Sequence, residues 1–473
     1  VVSPVAYILI PAALVLFFRG RRALLWATLL LVPFFGVGVV DLGVTSIAGF
    51  QLFGVLFIAR CMVDDIWSTT GGLKPSRANA VAAFFLFLCF ASLSMAVLNA
   101  GAVEVYTETK GRWIEVVRNS VPLRLSVFNF TQILYPIFGV LLFHFVVREL
   151  RSLSDLRKAI NILVWGALAI AVMSIGSGVL YTTGQGELYR QILGLFSIGP
   201  FGDKGPQSAS FGRFFRMYTL AGEPGFTALT LLVGTGLVGG SVLQKGISPV
   251  RWPIAKFSVI LVALLLNGST TAYFGAVVFI TWVPIVLWYT GETSLSSVLR
   301  PLVYVFGGVV LLGGLASTVQ VSGAPFHEWL INYHLAKFQG EAGSGQIRAY
   351  VAWYSLREVF LTSPILGVGY GSHLSLSLVT FLLSNVGLLG FGAFLAFFYT
   401  VLRNTKRTVQ NARGPLRGMA FIGALTLPPF LATLFVAKAT SGMNMGLTWT
   451  IIALAEATYQ VYRRDQTHST AQV

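Results

Sequence analysis

Apolar runs of roughly 17 to 25 residues recur from one end of this chain to the other, separated by short polar stretches. Runs of that length match the hydrocarbon thickness of a bilayer, where every backbone N–H and C=O must be satisfied within the spanning structure. Helices meet that condition segment by segment. Charged residues make up only 11% of the 473 and mean hydropathy is +0.76, a balance that would aggregate a water-soluble domain. The sequence therefore predicts an all-α, polytopic helical membrane protein, with residues 1–473 as a single integral membrane domain. Its expected spans are 7–18, 23–40, 44–60, 79–100, 131–147, 159–181, 217–243, 257–266, 272–290, 301–319, 374–402, 418–436 and 446–462, about thirteen in all. No signal peptide is apparent, and a start at Val1 rather than Met points either to trimming or to a boundary drawn within a longer chain, which leaves the first span open at its beginning.

A formal charge of +16 raises the question of nucleic acid, but nucleic-acid binding needs a basic face on a folded domain. Here the cations sit in short loops between apolar runs and set topology instead. With the spans above, 21 of the 33 Lys and Arg residues fall on one side, among them Arg21, Arg60, Arg148, Arg151, Arg403 and Arg464. The positive-inside rule places that side in the cytoplasm, together with the C-terminus. Cys61 and Cys89 have neither metal-ligand spacing nor a disulfide pattern, so no metal and no cofactor are expected.

Three substantial segments then lie outside: 101–130, 182–216 and 321–373, the last holding three of the five histidines, His327, His334 and His373. An outer loop of about 50 residues is long for a transporter and wants a reason. Within it, residues 347–360 read as an amphipathic helix on the membrane surface, with Tyr350, Trp353, Tyr354 and Leu356 as apolar contacts and Arg348, Arg357 and Glu358 polar.

Glu223 is read as a carboxylate about two turns into an apolar helix, which costs several kcal/mol unless it is paired or faces a polar cavity. It is either a helix–helix hydrogen bond or ion pair, or a general base tuned by burial. Pro224 would open the helix there, and Arg213 and Arg216 stand just before it. The run from Asn267 to Tyr273 is a polar break between two apolar stretches; Ser269 and Tyr273 either cap helices or line the same outer vestibule.

Arg348 with its amphipathic helix, then Pro364-Ile-Leu-Gly367-Val-Gly369-Tyr-Gly371-Ser-His373, then a long helix with Asn385-Val-Gly387-Leu-Leu-Gly390, resembles the O-antigen polymerase and ligase superfamily. The order of parts, a large outer loop before three final spans, resembles it too. That resemblance implies a fold of the lipid-linked membrane glycosyltransferase class, here called GT-C-like, and a metal-independent, inverting enzyme on the periplasmic face of the bacterial inner membrane. The donor would be an oligosaccharide on undecaprenyl pyrophosphate. Arg216 and Arg348, with Arg213 in reserve, would grip the pyrophosphate, since guanidinium forks bind it bidentately without a metal. His373 would deprotonate or orient the acceptor hydroxyl, with Glu223 as a second catalytic group. Gly367, Gly369 and Gly371 would let backbone approach phosphate or sugar, with Ser269 and Tyr273 in support. The absence of an arginine near Ser269 and the Glu223-Pro224 pair favour a polymerase of O-antigen or exopolysaccharide repeat units over a ligase acting on lipid A core. A chain-length regulator, a polysaccharide co-polymerase, is the partner implied.

A transporter of lipid-linked oligosaccharide is the alternative of another class, but it would carry charges deep in several spans and show two related halves. A serine protease at Ser372-His373 is excluded, because adjacent side chains on a helix point about 100° apart.

Overall fold

Gly20, at φ +110°, turns helix α1 (Ala6–Arg19) into α2 (Arg21–Leu31), and the chain then runs back and forth as helices nearly to its end. The computed structural model describes residues 2–41, 46–67, 76–107, 120–196, 218–244, 249–291, 320–321, 324–325, 343–437 and 443–470. After α2 come α3 (Gly49–Trp67), α4 (Arg77–Leu98), α5 (Val127–Glu149), α6 (Leu153–Thr182) and α7 (Gly186–Gly194). Next are α8 (Pro224–Leu243), α9 (Pro253–Leu266), α10 (Thr270–Tyr289) and α11 (Gly343–Tyr354), the last running into a π-helical turn over Ser355–Phe360. The chain finishes with α12 (Leu378–Asn411), α13 (Gly414–Ala437) and α14 (Gly446–Thr470). Short antiparallel pairs join β1 (Gly38–Asp41) to β2 (Ser46–Ala48), β3 (Glu104–Val105) to β4 (Val121–Pro122), and β5 (Gln320–Val321) to β6 (Ala324–Pro325).

Among the described residues, seven helices, α4, α5, α6, α8, α10, α12 and α13, are long and apolar enough to cross a membrane, and α1 and α9 are apolar but shorter. Phe18, Phe87 and Trp288 stand exposed on their outer surfaces, the arrangement expected of side chains that meet lipid. The protein is a membrane-embedded, multi-pass helical bundle. Two expected spans are corrected. The 23–40 run stops being helical at Leu31, because Pro33 lacks the N–H that would continue the helix, and the chain beyond goes into a strand in which Val40 pairs with Ile47. The 217–243 run becomes helical only at Pro224, and the 301–319 span lies outside the described residues.

Helix α8 is the axis of the bundle, with 18 of its 20 residues buried. Its glycines allow this, since a Cβ on Gly236 would lie 2.8 Å from the Thr426 Cα on α13, and one on Gly240 2.9 Å from Ile422 on the same helix. Small residues four apart let two helix backbones approach closely, and close packing is what associates helices where lipid removes the hydrophobic drive.

One end of the bundle is basic. Glu149, 1% exposed, receives Arg21 at 3.2 Å, Arg148 at 3.4 Å and Arg151 at 3.6 Å, while Arg148 also pairs with Asp65 and Arg60 with Asp64. Arg464 of α14 donates to the Arg151 carbonyl at 3.4 Å, which brings the final helix to the same end. Arginines far apart in sequence are thus gathered as the alternation of spans requires.

Replacing Gly236 by Leu is expected to cost about 1 to 3 kcal/mol through overpacking against Thr426, with Gly236→Ala milder. Thermal unfolding in nanodiscs measures it, and an unchanged midpoint for Gly236→Leu would show that α8 and α13 do not depend on close approach.

Candidate active site

Helix α12 is broken in its first half, where Gly387 takes φ 64° and ψ −168°. A break in a buried helix frees backbone groups that must find partners. The segment before the helix supplies them. Val368 and Gly369 donate their N–H groups to the carbonyls of Ser384 and Asn385 at 2.8 and 3.1 Å, and Leu388 and Leu389 donate to Pro364 and Ile365 at 2.9 and 3.1 Å. The two backbones approach so closely that a Cβ on Gly367 would lie 2.3 Å from the Asn385 carbonyl carbon, and one on Gly387 2.3 Å from the Ile365 oxygen. Gly367, Gly369 and Gly371 all have positive φ, so they make the tight turn expected of them. What their missing side chains admit is protein. Gly369 sits against Ala96 of α4 and Gly371 against Gln132 of α5, and residues 367–376 are buried throughout.

His373 closes this buried loop and is 0% exposed. Asn385 clamps its backbone from both sides, accepting from the His373 N–H at 2.9 Å and donating to the His373 carbonyl at 2.8 Å. The Tyr106 N–H donates to Nδ1 at 3.2 Å, so that nitrogen carries a lone pair and the ring proton resides on Nε2. Nε2 in turn donates to Ser355 Oγ at 2.8 Å, and Ser355 passes its own hydrogen to the Val351 carbonyl at 2.6 Å. Both ring nitrogens are therefore committed, and burial away from water pushes the imidazole pKa down to about 3. The rings of Tyr106 and Tyr354 flank it, with centroids 5.4 and 6.1 Å away. Burial, and after it a hydrogen bond with Tyr350, hold the Tyr106 hydroxyl protonated well above the usual tyrosine range.

Through these contacts the loop ties α11 to the bundle. Tyr354 donates its hydroxyl to the Glu104 carbonyl at 2.8 Å, and Val351, Ser355 and Val359 form the buried face of the helix and its π-helical turn. Of the aromatic stripe expected to meet the membrane surface, Tyr350 and Trp353 are 52% and 63% exposed, while Tyr354 and Leu356 are half-buried. The smaller β-branched residues pack, and the large aromatics stand beside the exposed Arg348 and Arg357. Cations and aromatic rings on one exposed helix can hold a phosphorylated, sugar-bearing ligand by ion pairing and stacking.

Glu223 is corrected in position. It is the half-buried N-cap of α8, outside the helix, and Pro224 occupies the first helical position, where a missing N–H costs nothing. The turn before it packs against the corner after α2, with the Gly36 N–H donating to the Leu220 carbonyl at 2.8 Å. Ser269 is likewise the N-cap of α10, and Tyr273 donates its hydroxyl to the Leu265 carbonyl at 2.9 Å, so both serve the turn between α9 and α10. Arg213, Arg216, His327 and His334 lie outside the described residues. The structure thus unites His373, the three glycines and the helix of Arg348, and places Glu223 and Ser269 on separate turns. Among the described residues no group of three or more His, Cys, Asp or Glu side chains could hold a metal ion.

Ser355, Tyr106, Asn129 and Ser92 escaped the sequence reading, although they complete the loop: Asn129 donates to the Tyr370 carbonyl and Ser372 hydroxyl at 3.0 and 2.8 Å, and Ser92 accepts from the Tyr370 N–H at 3.0 Å. Their partners are up to 278 residues distant, and no local pattern announces such a pairing.

Because the folded state holds His373 neutral far below the pKa of about 6.5 that an unfolded chain gives it, unfolding takes up a proton anywhere between those values. Its contribution to stability is present above pH 6.5 and is lost as pH falls toward 3. His373→Gln is expected to flatten the pH dependence of the unfolding midpoint between pH 7 and 4; parallel slopes in the two proteins would remove His373 from that role.

No family model matches the chain and no curated protein matches it, so the reading of this site rests on its geometry and on the chemistry of its side chains.

Proposed function

We propose that this protein is a membrane glycosyltransferase that polymerises oligosaccharide repeat units carried on undecaprenyl pyrophosphate, at the end of the bundle opposite the basic residues. The observation that carries the reading is the way a buried neutral histidine and a laced loop hold α11 in place, so that exposed Arg348, Tyr350 and Trp353 stand on a rigid support. Catalysis of glycosyl transfer asks for such preorganisation, because little of the chemistry can be done by a flexible cation. The positive-inside rule supports placing the Glu149 end in the cytoplasm and this site in the periplasm, in an inner membrane crossed about thirteen times.

The acceptor hydroxyl oxygen attacks the anomeric carbon of the donor sugar as the bond from that carbon to the pyrophosphate oxygen breaks. The lipid pyrophosphate leaves with the bonding electron pair, configuration inverts, and the hydroxyl proton passes to a carboxylate. Glu223 suits the role of base in being half-buried, and Arg348 suits the leaving group, with Arg213 and Arg216 a short way before Glu223 in the chain. With both nitrogens committed, His373 acts in this reading as a positioning residue and contacts no reacting atom.

The test incubates purified protein in nanodiscs with lipid-linked repeat units, without metal or nucleotide, and resolves the glycolipids on a gel. A ladder of lengthening chains is the expected result. Glu223→Gln is expected to lower kcat by about 10²- to 10⁴-fold with KM little changed, and Arg348→Ala to raise KM. Ser355→Ala is expected to impair both, with Ser355→Thr restoring activity. Transfer only after lipid A core is added would make the enzyme a ligase; passage of labelled glycolipid across the bilayer with no new linkage would make it a transporter.

A further inference from the structure

A cavity of about 100 Å³ lies at the basic end of the bundle, and four arginines line it. Arg77 is the first residue of α4, Arg403 and Arg407 lie one turn apart on α12, and Arg463 is on α14. Among the described residues none of the four takes part in an ion pair, in contrast to Arg21, Arg60, Arg148 and Arg151 nearby in the same end. The cavity holds one carboxylate, Glu456, 0% exposed, whose oxygens accept from Asn404 Nδ2 at 2.9 Å and Gln460 Nε2 at 2.7 Å. Four guanidinium groups around one carboxylate leave a cationic cavity that an anion would stabilise.

The surroundings say what kind of anion. Tyr399, 64% exposed, forms part of the wall, and Leu395 and Leu388 continue the same face of α12 along the outside of the bundle at 42% and 55% exposure. That strip is apolar, faces lipid, and leads from the cavity toward the membrane interior. Glu456 also accepts from the Ser76 hydroxyl, and since a carboxylate offers about four lone-pair sites, it can accept from one further hydroxyl.

We propose that this cavity binds the head group of an anionic phospholipid, with the phosphate among Arg77, Arg403, Arg407 and Arg463, a head-group hydroxyl on Glu456, and the acyl chains along the Tyr399 and Leu395 face. Basic cavities between membrane helices, close to the head-group level, are the setting in which such lipids are held. The bound lipid would join the ends of α4, α12 and α14, and α12 is the helix whose broken half carries Asn385.

The experiment reconstitutes the full chain in nanodiscs of phosphatidylglycerol and phosphatidylcholine, extracts it in mild detergent, and counts retained lipids by native mass spectrometry. Selective retention of phosphatidylglycerol is expected, falling about thirty-fold in affinity for Arg403→Gln/Arg407→Gln and little for Arg413→Gln. Arg403→Lys/Arg407→Lys, which keeps the charge, is expected to retain most of the lipid and guards against a folding defect. Equal retention by the Gln double variant, or no preference for phosphatidylglycerol, would overturn the proposal. Displacement of the lipid by an equal concentration of inorganic phosphate would assign the site to a free anion and overturn it as well.

Discussion

A backbone that stops being helical inside a bilayer-sized bundle must still pair its N–H and C=O groups, and in this protein the break at Gly387 decides the rest of the candidate site. The four hydrogen bonds that residues 364–369 exchange with 384–389 turn a defect in α12 into a junction between two segments. Side chains at the junction would prevent it, which is why glycine stands on both sides, at Gly367 and Gly387. Everything beyond follows the same loop: Tyr370 and Ser372 are tied to α4 and α5, and His373 to α11.

The imidazole at the end of that loop works as a fixed donor and acceptor. Accepting from the Tyr106 N–H and donating to Ser355, it joins a strand pair, a π-helical turn and a loop through one planar ring. Serine or asparagine could bridge two of these, but a ring with opposed nitrogens spans the distance between a backbone amide and a hydroxyl on different elements. The π-helical turn is a part of this arrangement, since an extra residue per turn re-aims a side chain without ending the helix. Preorganisation in the candidate site is thus built from neutral hydrogen bonds, which lose nothing to salt and cost no desolvation of charge.

Much of this could be read from residue order. Runs of apolar residues gave the helices of the bundle, and the spacing of Gly367, Gly369 and Gly371 told of a tight turn before a long helix. What backbone the glycines admit could not be read, because Asn385 and Gln132 reach them through tertiary packing. Glu223 was misplaced for a local reason: an apolar run marks burial, whereas the first helical position is marked by Pro224, and proline at that position starts a helix that the run alone would begin earlier. The 23–40 run misled in the same way, since hydropathy does not separate a helix from a short strand of valines. On α11 the amphipathic pattern marked a helix with exposed Tyr350 and Trp353, but it did not show that Val351, Ser355 and Val359 form the face packed on the protein, because that face is set by the distant His373 loop.

The two ends of the bundle are held by different interactions, and this bears on where a charged substrate can be handled. At the basic end Glu149 is enclosed by three arginines, so those cations are already spent on the fold. Recruiting them for a ligand would strand a buried carboxylate, at a cost of several kcal/mol. At the opposite end the fold is held by neutral groups, and Arg348 and Arg357 stand exposed on a helix that needs neither of them for its buried face. A pyrophosphate bound there would meet exposed guanidinium groups and would take none of the three arginines that enclose Glu149. The fold thus takes up the charge of Arg21, Arg148 and Arg151 around Glu149, and leaves the cations beside the laced loop and those around Glu456 out of that cluster, within a chain that carries very little charge.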